Sequence, residues 1–566
     1  MCGIWGYLSR STKDLSSADK DKLYHAFNTI KHRGPDKSTF LDIKKQLSLF
    51  LGFHRLAIMD TSTNGDQPFI IETSTRTTYC LANGEIYNFK QLTKEFGLQH
   101  KLKSQSDCEV IPHIFHSLGP KSLFRSLIGE FAIALIDIDH TSSEITIRLG
   151  RDRFGQRPLF YGQDEKGFAF SSEMKGLIGI VDPKSIKQLE PGMWIRIAYK
   201  PVFDQLFSQV YSEYTTRSYY KRTYPISKDY PSSYDLGDIT DICKNIRTCF
   251  ERSVIDMLES DRDIGALLSG GLDSSLVVSI ASKYMRNTYG RKLKTFSIGL
   301  PGSTDKQYAQ IVADYCGTEH THVEFTNQQF LEALRDVIYA TETFDITTIR
   351  ASTGQYLISQ WIVKNTNVKV LLIGDGSDEL TGGYMYFHKA PTPEESHKEN
   401  IKLLTQIHFY DVLRADRGIS HGLEARVPFL DHRFVDMYMK LDPRLRVPID
   451  GVEKWLLRKA FDTDTYLPRV VLWRKKEAFS DGVSSLDDSW YKTIQQYADT
   501  MYTDEELAFA QQQYTHCPPP TKEALYFREI FEEFYFNAGH VIPHYWLPNW
   551  CGNIQEPSAR ALDVYE

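Results

Sequence analysis

The chain has 566 residues, of which 41% are hydrophobic and 25% charged, with a formal net charge of −7. This length and composition indicate more than one folded domain, and the acidic balance argues against nucleic-acid binding. No apolar run approaches the about 20 residues that span a membrane, and eight cysteines without CxxC pairs favour a reducing, cytoplasmic compartment over a zinc site or disulfides.

Cys2 is the first residue that points to chemistry. If Met1 is removed, Cys2 carries a free α-amine beside its thiol. An α-amine with a pKa near 8 can act as a general base at neutral pH. A thiol at this position can therefore be a nucleophile with its own base. The alternative is an early cysteine without function, and this residue alone does not decide between the two.

Five polar motifs interrupt the strands predicted in the first 198 residues. They are HRGPD at 32–36, GFHRLAIMD at 52–60, LANGEIYN at 81–88, SDCE at 106–109 and RDRFG at 151–155. In this order they resemble the motifs of glutamine amidotransferases whose nucleophile is an N-terminal cysteine. The resemblance implies a glutaminase domain at residues 2–198 with an α/β/β/α sandwich of the N-terminal-nucleophile type.

Several of these residues have the chemistry to bind glutamine. Arg55 offers a planar fork for an α-carboxylate, and Glu85 and Asp107 are carboxylates suited to an α-ammonium group. The resemblance also assigns Met59 to the glutamine site. Taken alone, Arg55 is equally well explained as a surface cation.

Asn83 and Gly84 are predicted to stabilise the reacting oxyanion. The Asn83 side-chain amide and the Gly84 N–H could form an oxyanion hole for the tetrahedral intermediate on Cys2. Losing one such donor typically costs about 100- to 1,000-fold in rate. An Asn-Gly pair is also an ordinary hairpin turn, so the interpretation depends on the accompanying motifs.

The region after the first domain has a different composition. Residues 199–236 are rich in tyrosine, proline and serine and have little apolar periodicity, so they are predicted to be a linker. A second domain is predicted at 237–550, followed by a C-terminal tail at 551–566.

The second domain is organised around the segment ALLSGGLDSS at 266–275. An apolar strand stops at a glycine pair and continues as a helix, whose N-terminus favours phosphate. Asp273 in the first turn would repel a phosphate unless a cation such as Mg²⁺ lies between them. A glycine turn in an ordinary α/β crossover is the alternative. The motif resembles the pyrophosphate-binding loop of ATP pyrophosphatases, which adenylate a substrate.

A second apolar strand, 368–373, leads into a glycine turn that contains Asp375, Asp378 and Glu379. Three carboxylates in five residues are costly to pack unless cations meet them. Strand ends of open α/β sheets are also where ligands bind. A solvated acidic turn is the alternative interpretation.

Motifs along nearly the whole chain resemble the glutamine-hydrolysing asparagine synthetases. They include SGGLDS at 269–274, TTIRAST at 347–353, YFHKAP at 386–391, HGLEARVPFLD at 421–431 and KEAFSDG at 476–482. The resemblance implies a doubly wound parallel α/β domain of the ATP-pyrophosphatase type with many helices. It implies synthesis of asparagine from aspartate through a β-aspartyl adenylate, with ATP and Mg²⁺ and with ammonia released from glutamine.

The resemblance also assigns individual residues in the second domain. Mg²⁺ would bind Asp273 and Asp378, and the aspartate carboxylate would bind Arg350. The residues assigned to ATP are Leu267, Ser269, Gly270, Gly271, Asp273, Ser274, Ile298, Ile373, Gly374 and Lys476. The implied partners are the small molecules glutamine, aspartate and ATP, with neither nucleic acid nor membrane. The sequence is compatible with a homodimer and does not determine the oligomeric state.

Two positions depart from the family pattern Ser-Gly-Glu-Gly-Ser-Asp-Glu. Ile373 removes a hydroxyl, and Asp375, expected to be catalytic, is one methylene shorter than the family's glutamate. A displacement on the order of 1 Å can cost about 100-fold where geometry matters. These departures keep open the hypothesis of a descendant that only hydrolyses glutamine. A related amide-forming, β-lactam synthetase-like enzyme of the same fold is the other alternative.

Overall fold

The computed structural model describes residues 1–45, 47–203, 208–225, 239–419, 421–476, 483–484, 489–552 and 554–558. The chain divides into two compact units. The first comprises Met1–Lys221, Ser420–Leu423 and Glu532–Val541, and the second comprises Arg222–Ile419, Glu424–Phe531 and Ile542–Glu566. Within the described residues, no helix combines the length and the apolar character that a membrane crossing requires.

The first unit is built mainly from strands. Its strands are β1 (Gly3–Ser9), β2 (Lys37–Lys44), β3 (Ser48–Arg55), β4 (Phe69–Glu72), β5 (Arg76–Ile86), β6 (Gly129–Asp139), β7 (Ile145–Arg151), β8 (Phe160–Gln163), β9 (Gly167–Ser171), β10 (Lys187–Gln188), β11 (Met193–Phe203) and β12 (Ser208–Ser218). Its helices are α1 (Ser17–Asn28), α2 (Phe89–Glu95) and α3 (Val110–Ser126).

These strands form two antiparallel sheets in the orders β10-β8-β9-β1-β3-β2 and β12-β11-β7-β6-β5-β4. The sheets share one core, in which Leu51 of the first sheet and Ile136 of the second are completely buried. On the outer faces, Phe27 of α1 stacks on His54 with ring centroids 3.8 Å apart, and Ile114 of α3 packs in a separate cluster with strands of the second sheet. The predicted α/β/β/α sandwich is confirmed.

The structure corrects the start of the predicted linker at 199–236. Strand β11 continues through Phe203, and it pairs with β12 along its whole length, from Met193 opposite Ser218 to Phe203 opposite Ser208. Aromatic and β-branched residues favour strands, and Tyr199 is completely buried in the core. The tyrosine-rich segment is therefore largely a hairpin of the first unit. Residues 226–238 of the predicted linker lie outside the described residues.

The second unit contains a parallel sheet among many helices. Its strands are β13 (Asp263–Leu267), β14 (Lys294–Gly299), β15 (Glu319–Glu324), β16 (Val368–Leu372) and β17 (Glu424–Arg426). The helices that begin in this unit are α4 (Ile239–Asp256), α5 (Leu272–Tyr289), α6 (Asp305–Cys316), α7 (Asn327–Thr341), α8 (Ile346–Asn365), α9 (Ser377–Thr381), α10 (Pro393–Gln406), α11 (Asp411–Leu413), α12 (His432–Met439), α13 (Trp455–Phe461), α14 (Arg469–Leu472), α15 (Trp490–Met501), α16 (Asp504–Gln513) and α17 (Lys522–Phe534).

The strand order β15-β14-β13-β16-β17 reverses direction between β13 and β16. All four neighbouring pairs are parallel, which confirms the predicted doubly wound sheet. Ligands of such sheets bind in the crevice at the carboxyl ends of the strands where the order reverses. The loops that follow β13 and β16 are the two segments that the sequence singled out.

Candidate functional site

In the first unit, Cys2 immediately precedes β1 and is held by the backbone of a neighbouring strand. The Leu56 N–H donates to the Cys2 Sγ at 3.4 Å, and the Arg33 Nε donates to the Cys2 carbonyl oxygen at 2.9 Å. Arg33 is itself fixed by a buried ion pair with Glu173 at 2.7 Å. The thiol is thus placed at the end of β3, directly after Arg55.

Glu173 is a site residue that sequence reasoning missed. Burial opposes its ionised form, but the charges of His32, Lys175 and Arg33 hold the pKa of this carboxyl well below its usual range. Lys175 lies 2.5 Å from it. The HRGPD motif pointed to His32 and Arg33, but no local signal identified their partner 140 positions away.

Asn83 has an unused hydrogen-bonding group in the interior. It is completely buried on β5, and within the described residues neither its amide nitrogen nor its amide oxygen has a hydrogen-bond partner. Gly84 beside it has φ +145°, and a Cβ there would overlap the Glu130 carbonyl oxygen. Only glycine fits the backbone at position 84. The Asn83 amide, which has no partner among the described residues, is the kind of donor that an oxyanion hole requires.

Cys108 marks the region that brings the predicted glutamine residues together. Its Sγ donates to the Gly84 carbonyl oxygen at 3.4 Å. Burial raises the pKa of this thiol well above its usual value, and the charges of Asp107, Glu85 and Cys2 raise it further. Residues from three distant segments therefore surround one buried thiol.

The loop after β3 is tied to the same region. The Arg55 guanidinium donates to the Ser62 carbonyl oxygen at 2.5 Å and to the Asp66 carboxylate at 2.7 Å. Some of its N–H donors are therefore used to hold this loop. Asp60 in the loop accepts from the Gln105 N–H at 2.8 Å. Asp107, in the SDCE motif, accepts from the backbone N–H of Ile86 at the end of β5 at 2.6 Å. Met59 lies in this loop and is half-buried. The roles of Arg55 and Met59 toward glutamine stay predictions.

In the second unit, a cavity of about 190 Å³ opens between the loops that follow β13 and β16. Gly270 turns the first loop with φ +75° and does not line the cavity. The predicted residues that line it are Leu267, Ser269, Gly271, Asp273, Ser274, Ile298, Ile373, Gly374, Asp375, Asp378 and Lys476. The structure thus collects almost all of the predicted ATP and metal residues at one place.

Two carboxylates in this cavity converge on one ammonium group. Lys454 Nζ lies 2.5 Å from an oxygen of Asp273 and 2.5 Å from an oxygen of Asp378. The Ser377 hydroxyl donates to the other Asp273 oxygen at 2.7 Å, and Lys476 lies 2.6 Å from Asp378. A site for a cation therefore exists between these two acids, and Lys454 occupies it.

These contacts control the charge of the cavity. Burial opposes ionisation of Asp378, but the Lys454 and Lys476 charges hold the pKa of this carboxyl below its usual value. Burial also opposes the charge on Lys476, yet Asp378 and Asp273 raise the pKa of its ammonium group. Asp273, Asp378, Lys454 and Lys476 thus form one cluster of paired charges in the cavity, a set that suits a triphosphate with a metal ion.

Asp375 lies in the same cavity and pairs with a residue that the sequence did not indicate. The Arg414 Nε donates to Asp375 Oδ1 at 2.9 Å, and Arg414 also lies 3.0 Å from Asp411. The Gln355 Nε2 lies 3.5 Å from Asp375 Oδ2. Burial raises the pKa of Asp375, and the Arg414 charge lowers it in part.

The structure corrects the assignment of Arg350 to the aspartate carboxylate. Its guanidinium is bound by two acids, with Glu523 at 2.5 Å and Glu556 at 2.6 Å. Only 3% of its side chain is exposed, and it does not line the cavity. A buried arginine that is bound by two carboxylates and lies outside the cavity is a structural tie.

Lys454 and Arg414 were missed because each comes from a segment without a recognisable motif. Lys454 has φ +55° and precedes α13, and Arg414 begins a π-helical turn. Both features occur at functional sites, but neither is readable from sequence. Residues 477–482 of the predicted KEAFSDG segment lie outside the described residues.

Known proteins resemble this chain over its full length. Residues 1–212 match the family described as glutamine amidotransferase domain, and residues 245–404 and 390–550 match asparagine synthase. Curated relatives described as glutamine-hydrolysing asparagine synthetase are 40% identical in Cricetulus griseus and Gallus gallus and 39% identical in Homo sapiens. Each alignment covers 100% of this chain and 99% of the relative.

Proposed function

The chain belongs to the family of glutamine-hydrolysing asparagine synthetases, and we propose that its two units carry the two halves of that reaction. The protein makes L-asparagine from L-aspartate with ATP and takes the nitrogen from L-glutamine. The products are AMP, pyrophosphate and glutamate. The first unit is assigned to glutamine hydrolysis and the second to adenylation and amide formation.

In the first half-reaction, the Cys2 thiol attacks the glutamine side-chain amide after Met1 has been removed. The free α-amine takes the thiol proton and returns it to the leaving ammonia, and water then cleaves the glutamyl thioester. The unpartnered Asn83 amide and the Gly84 N–H stabilise the oxyanion. Arg55, Met59, Glu85 and Asp107 bind the amino-acid end of glutamine.

In the second half-reaction, the β-carboxylate of aspartate attacks the α-phosphate of ATP and pyrophosphate leaves. The β13 loop, at Ser269, Gly271 and Ser274, surrounds the phosphates, and Lys476 neutralises the departing pyrophosphate. Ammonia then displaces AMP, and Asp375 takes the proton from the attacking nitrogen.

Asp273 and Asp378 fit Mg²⁺ because their oxygens converge on one cation position, and Mg²⁺ is usually held by one or two carboxylates together with phosphate. The ion would supply charge neutralisation at the phosphates. With the ion bound between the two carboxylates, Lys454 would be available to pair with phosphate oxygens.

The observation that carries the proposal for the second unit is the position of its cavity. It lies at the point where the strand order reverses, and its lining includes the glycine loop together with Asp273, Asp378, Lys454 and Lys476. The two other functions considered from the sequence explain fewer of the observed side-chain arrangements. A glutaminase-only descendant has no use for the paired charges of Asp378 and Lys476, and Asn83 would serve no purpose in an enzyme without glutamine.

The test measures pyrophosphate and asparagine with glutamine or ammonium as nitrogen donor, for wild type and Cys2→Ala. Cys2→Ala is expected to lose glutamine use and to retain ammonium-driven synthesis. Cys551→Ala, a partly buried cysteine of the second unit, is the matched control and should retain both. If wild type releases no pyrophosphate from aspartate with either donor, the proposal is wrong.

The remaining assignments are proposals with simpler tests. We place the protein in the cytoplasm, a compartment that suits eight cysteines that all lie in the described part of the chain without a disulfide. Cell fractionation followed by an assay of glutamine-dependent asparagine synthesis checks this. A homodimer is checked by light scattering. We assign the glutaminase domain to residues 2–221 rather than 2–198, and the smallest stable fragment from limited proteolysis should retain the paired strands β11 and β12.

A further inference from the structure

Both oxygens of the Asp375 carboxylate are contacted by side chains of the same unit. Arg414 donates to Oδ1 through Nε at 2.9 Å, and the amide nitrogen of Gln355 lies 3.5 Å from Oδ2. A carboxylate approached on both oxygens cannot rotate freely about its last bond. The direction of its remaining lone pairs is therefore set by Arg414 and Gln355 together.

Gln355 is placed for this contact by its helix. On α8 the cavity-lining residues are Thr347, Ala351, Gln355 and Ile358, which share one face. Gln355 is only 5% exposed, so its amide is in the protein interior. In the described structure its Oε1 has no hydrogen-bond partner, so the Nε2 contact with Asp375 is the one hydrogen bond found for this amide.

The position of Gln355 is linked to that of Arg414. A Cβ built on Gly418 would lie 3.5 Å from the Gln355 Oε1, so the amide packs against the π-helical turn Arg414–Gly418. The same turn presents the guanidinium that binds the other Asp375 oxygen. Gln355 is thus packed against the turn that carries Arg414, so the positions of the two groups that hold Asp375 are linked through this turn.

A neutral donor is chemically appropriate at the second oxygen. A second cation there would lower the basicity of Asp375, as the Arg414 charge already does in part. An amide N–H orients the carboxylate with a smaller effect on its charge. Asp375 also has one methylene fewer than glutamate, so its carboxylate has less freedom to reach a substrate and depends more on how it is held.

We propose that Gln355 is a positioning residue for amide formation, which holds Asp375 in the orientation that accepts a proton. The proposal rests on the proposed function. In the step concerned, the ammonia lone pair forms a bond to the acyl carbon of the aspartyl adenylate. One N–H proton passes to the Asp375 carboxylate, and the C–O bond to AMP breaks so that AMP leaves with the electron pair.

The test replaces Gln355 with methionine, which has a similar volume but no N–H donor. With ammonium as donor, the kcat of asparagine formation is expected to fall about 10- to 100-fold. Aspartate-dependent exchange of pyrophosphate into ATP reports adenylation alone and should change less than about twofold. Gln360→Met, at an exposed position of the same helix, is the control and should leave both rates unchanged.

A double-mutant cycle separates positioning from packing. The longer acid of Asp375→Glu reaches further on its own, so Gln355→Met in that background should cost no more than about twofold in kcat. Additive losses, or an equal loss of exchange and amide formation in Gln355→Met, would overturn the proposal. A wild type without exchange or asparagine would instead contradict the proposed function.

If Gln355→Met does not fold, Gln355→Glu replaces it, with folding checked by circular dichroism. This variant keeps the shape and puts a carboxyl group where the donor was. Amide formation should fall by more than about 10-fold while exchange is retained. Unchanged amide formation in a folded Gln355→Glu protein would overturn the proposal.

Discussion

The ammonium group of Lys454 lies 2.5 Å from Asp273 and 2.5 Å from Asp378. It joins an acid at the start of α5 to an acid in α9, so one buried cation connects the two loops that define the cavity. A buried charge is tolerated only when it is paired, and here each partner depends on the other. This relationship makes Lys454 the most informative residue to change.

Lys454→Met is expected to lower aspartate-dependent pyrophosphate release about 100-fold or more, since a cation at the phosphates is lost. Two buried carboxylates also lose their shared partner, so the melting temperature should fall. Glutamine hydrolysis, assigned to the other unit, serves as the internal reference. Pyrophosphate release and thermal unfolding are measured with Lys459→Met, an exposed residue of α13, as control. Wild-type pyrophosphate release by Lys454→Met would refute this role.

Asn83→Ala removes the unpartnered amide of β5. Glutamine hydrolysis should fall about 100- to 1,000-fold because one oxyanion donor is lost, while ammonium-driven asparagine synthesis is unchanged. The protein should be no less stable, since the native amide makes no hydrogen bond to the described residues. Glutamate release is the readout. Asn64→Ala, at an exposed loop position, should behave as wild type, and equal effects in both variants would argue against the oxyanion hole.

Arg350→Met tests whether this arginine binds aspartate or only ties Glu523 and Glu556. Leaving a buried carboxylate without its cation costs on the order of 3–5 kcal/mol, so unfolding in urea should occur at lower concentration. The KM for aspartate in the folded fraction should stay within about twofold of wild type. The Glu556→Gln variant, which removes the partly exposed partner, should destabilise less. A large rise in the aspartate KM with unchanged stability would restore the original assignment.

His54 makes the first unit sensitive to acid. Burial lowers the pKa of its ring to about 4, whereas in the unfolded chain it is near 6.5. The unfolded state therefore binds a proton between these values and the folded state does not. The stabilising contribution of the neutral ring is complete above pH 6.5 and is lost as the pH falls toward 4, by about 3 kcal/mol.

The measurement compares urea unfolding of wild type and His54→Gln from pH 8 to pH 4. The difference between them should shrink on acidification, because wild type loses the contribution of the neutral His54 ring, whereas glutamine does not titrate. His25→Gln, on the exposed face of α1, should have the same pH dependence as wild type. A constant difference between wild type and His54→Gln would show that His54 stays in one protonation state.

The sequence alone was sufficient for the local parts of both sites. A glycine turn between an apolar strand and a helix is a property of a few neighbouring residues, so the loop at Ser269 and the acidic turn at Asp375 could be located in advance. Apolar runs that end at a glycine turn likewise indicated the two strands that precede these loops. The hairpin of β11 and β12 was missed because the prolines, serines and weak apolar periodicity of residues 199–236 resemble those of a linker.

Only the tertiary structure decided which charged groups meet. Lys454 is 181 positions from Asp273, and Arg350 is 173 positions from Glu523, so no local pattern connects them. A sequence specifies how many charges exist, but the energy of a buried charge depends on which opposite charge lies within a few ångströms and on how far water is excluded. For this reason the sequence suggested a substrate-binding role for Arg350 and no role for Lys454, and only the fold showed which carboxylates each of them contacts.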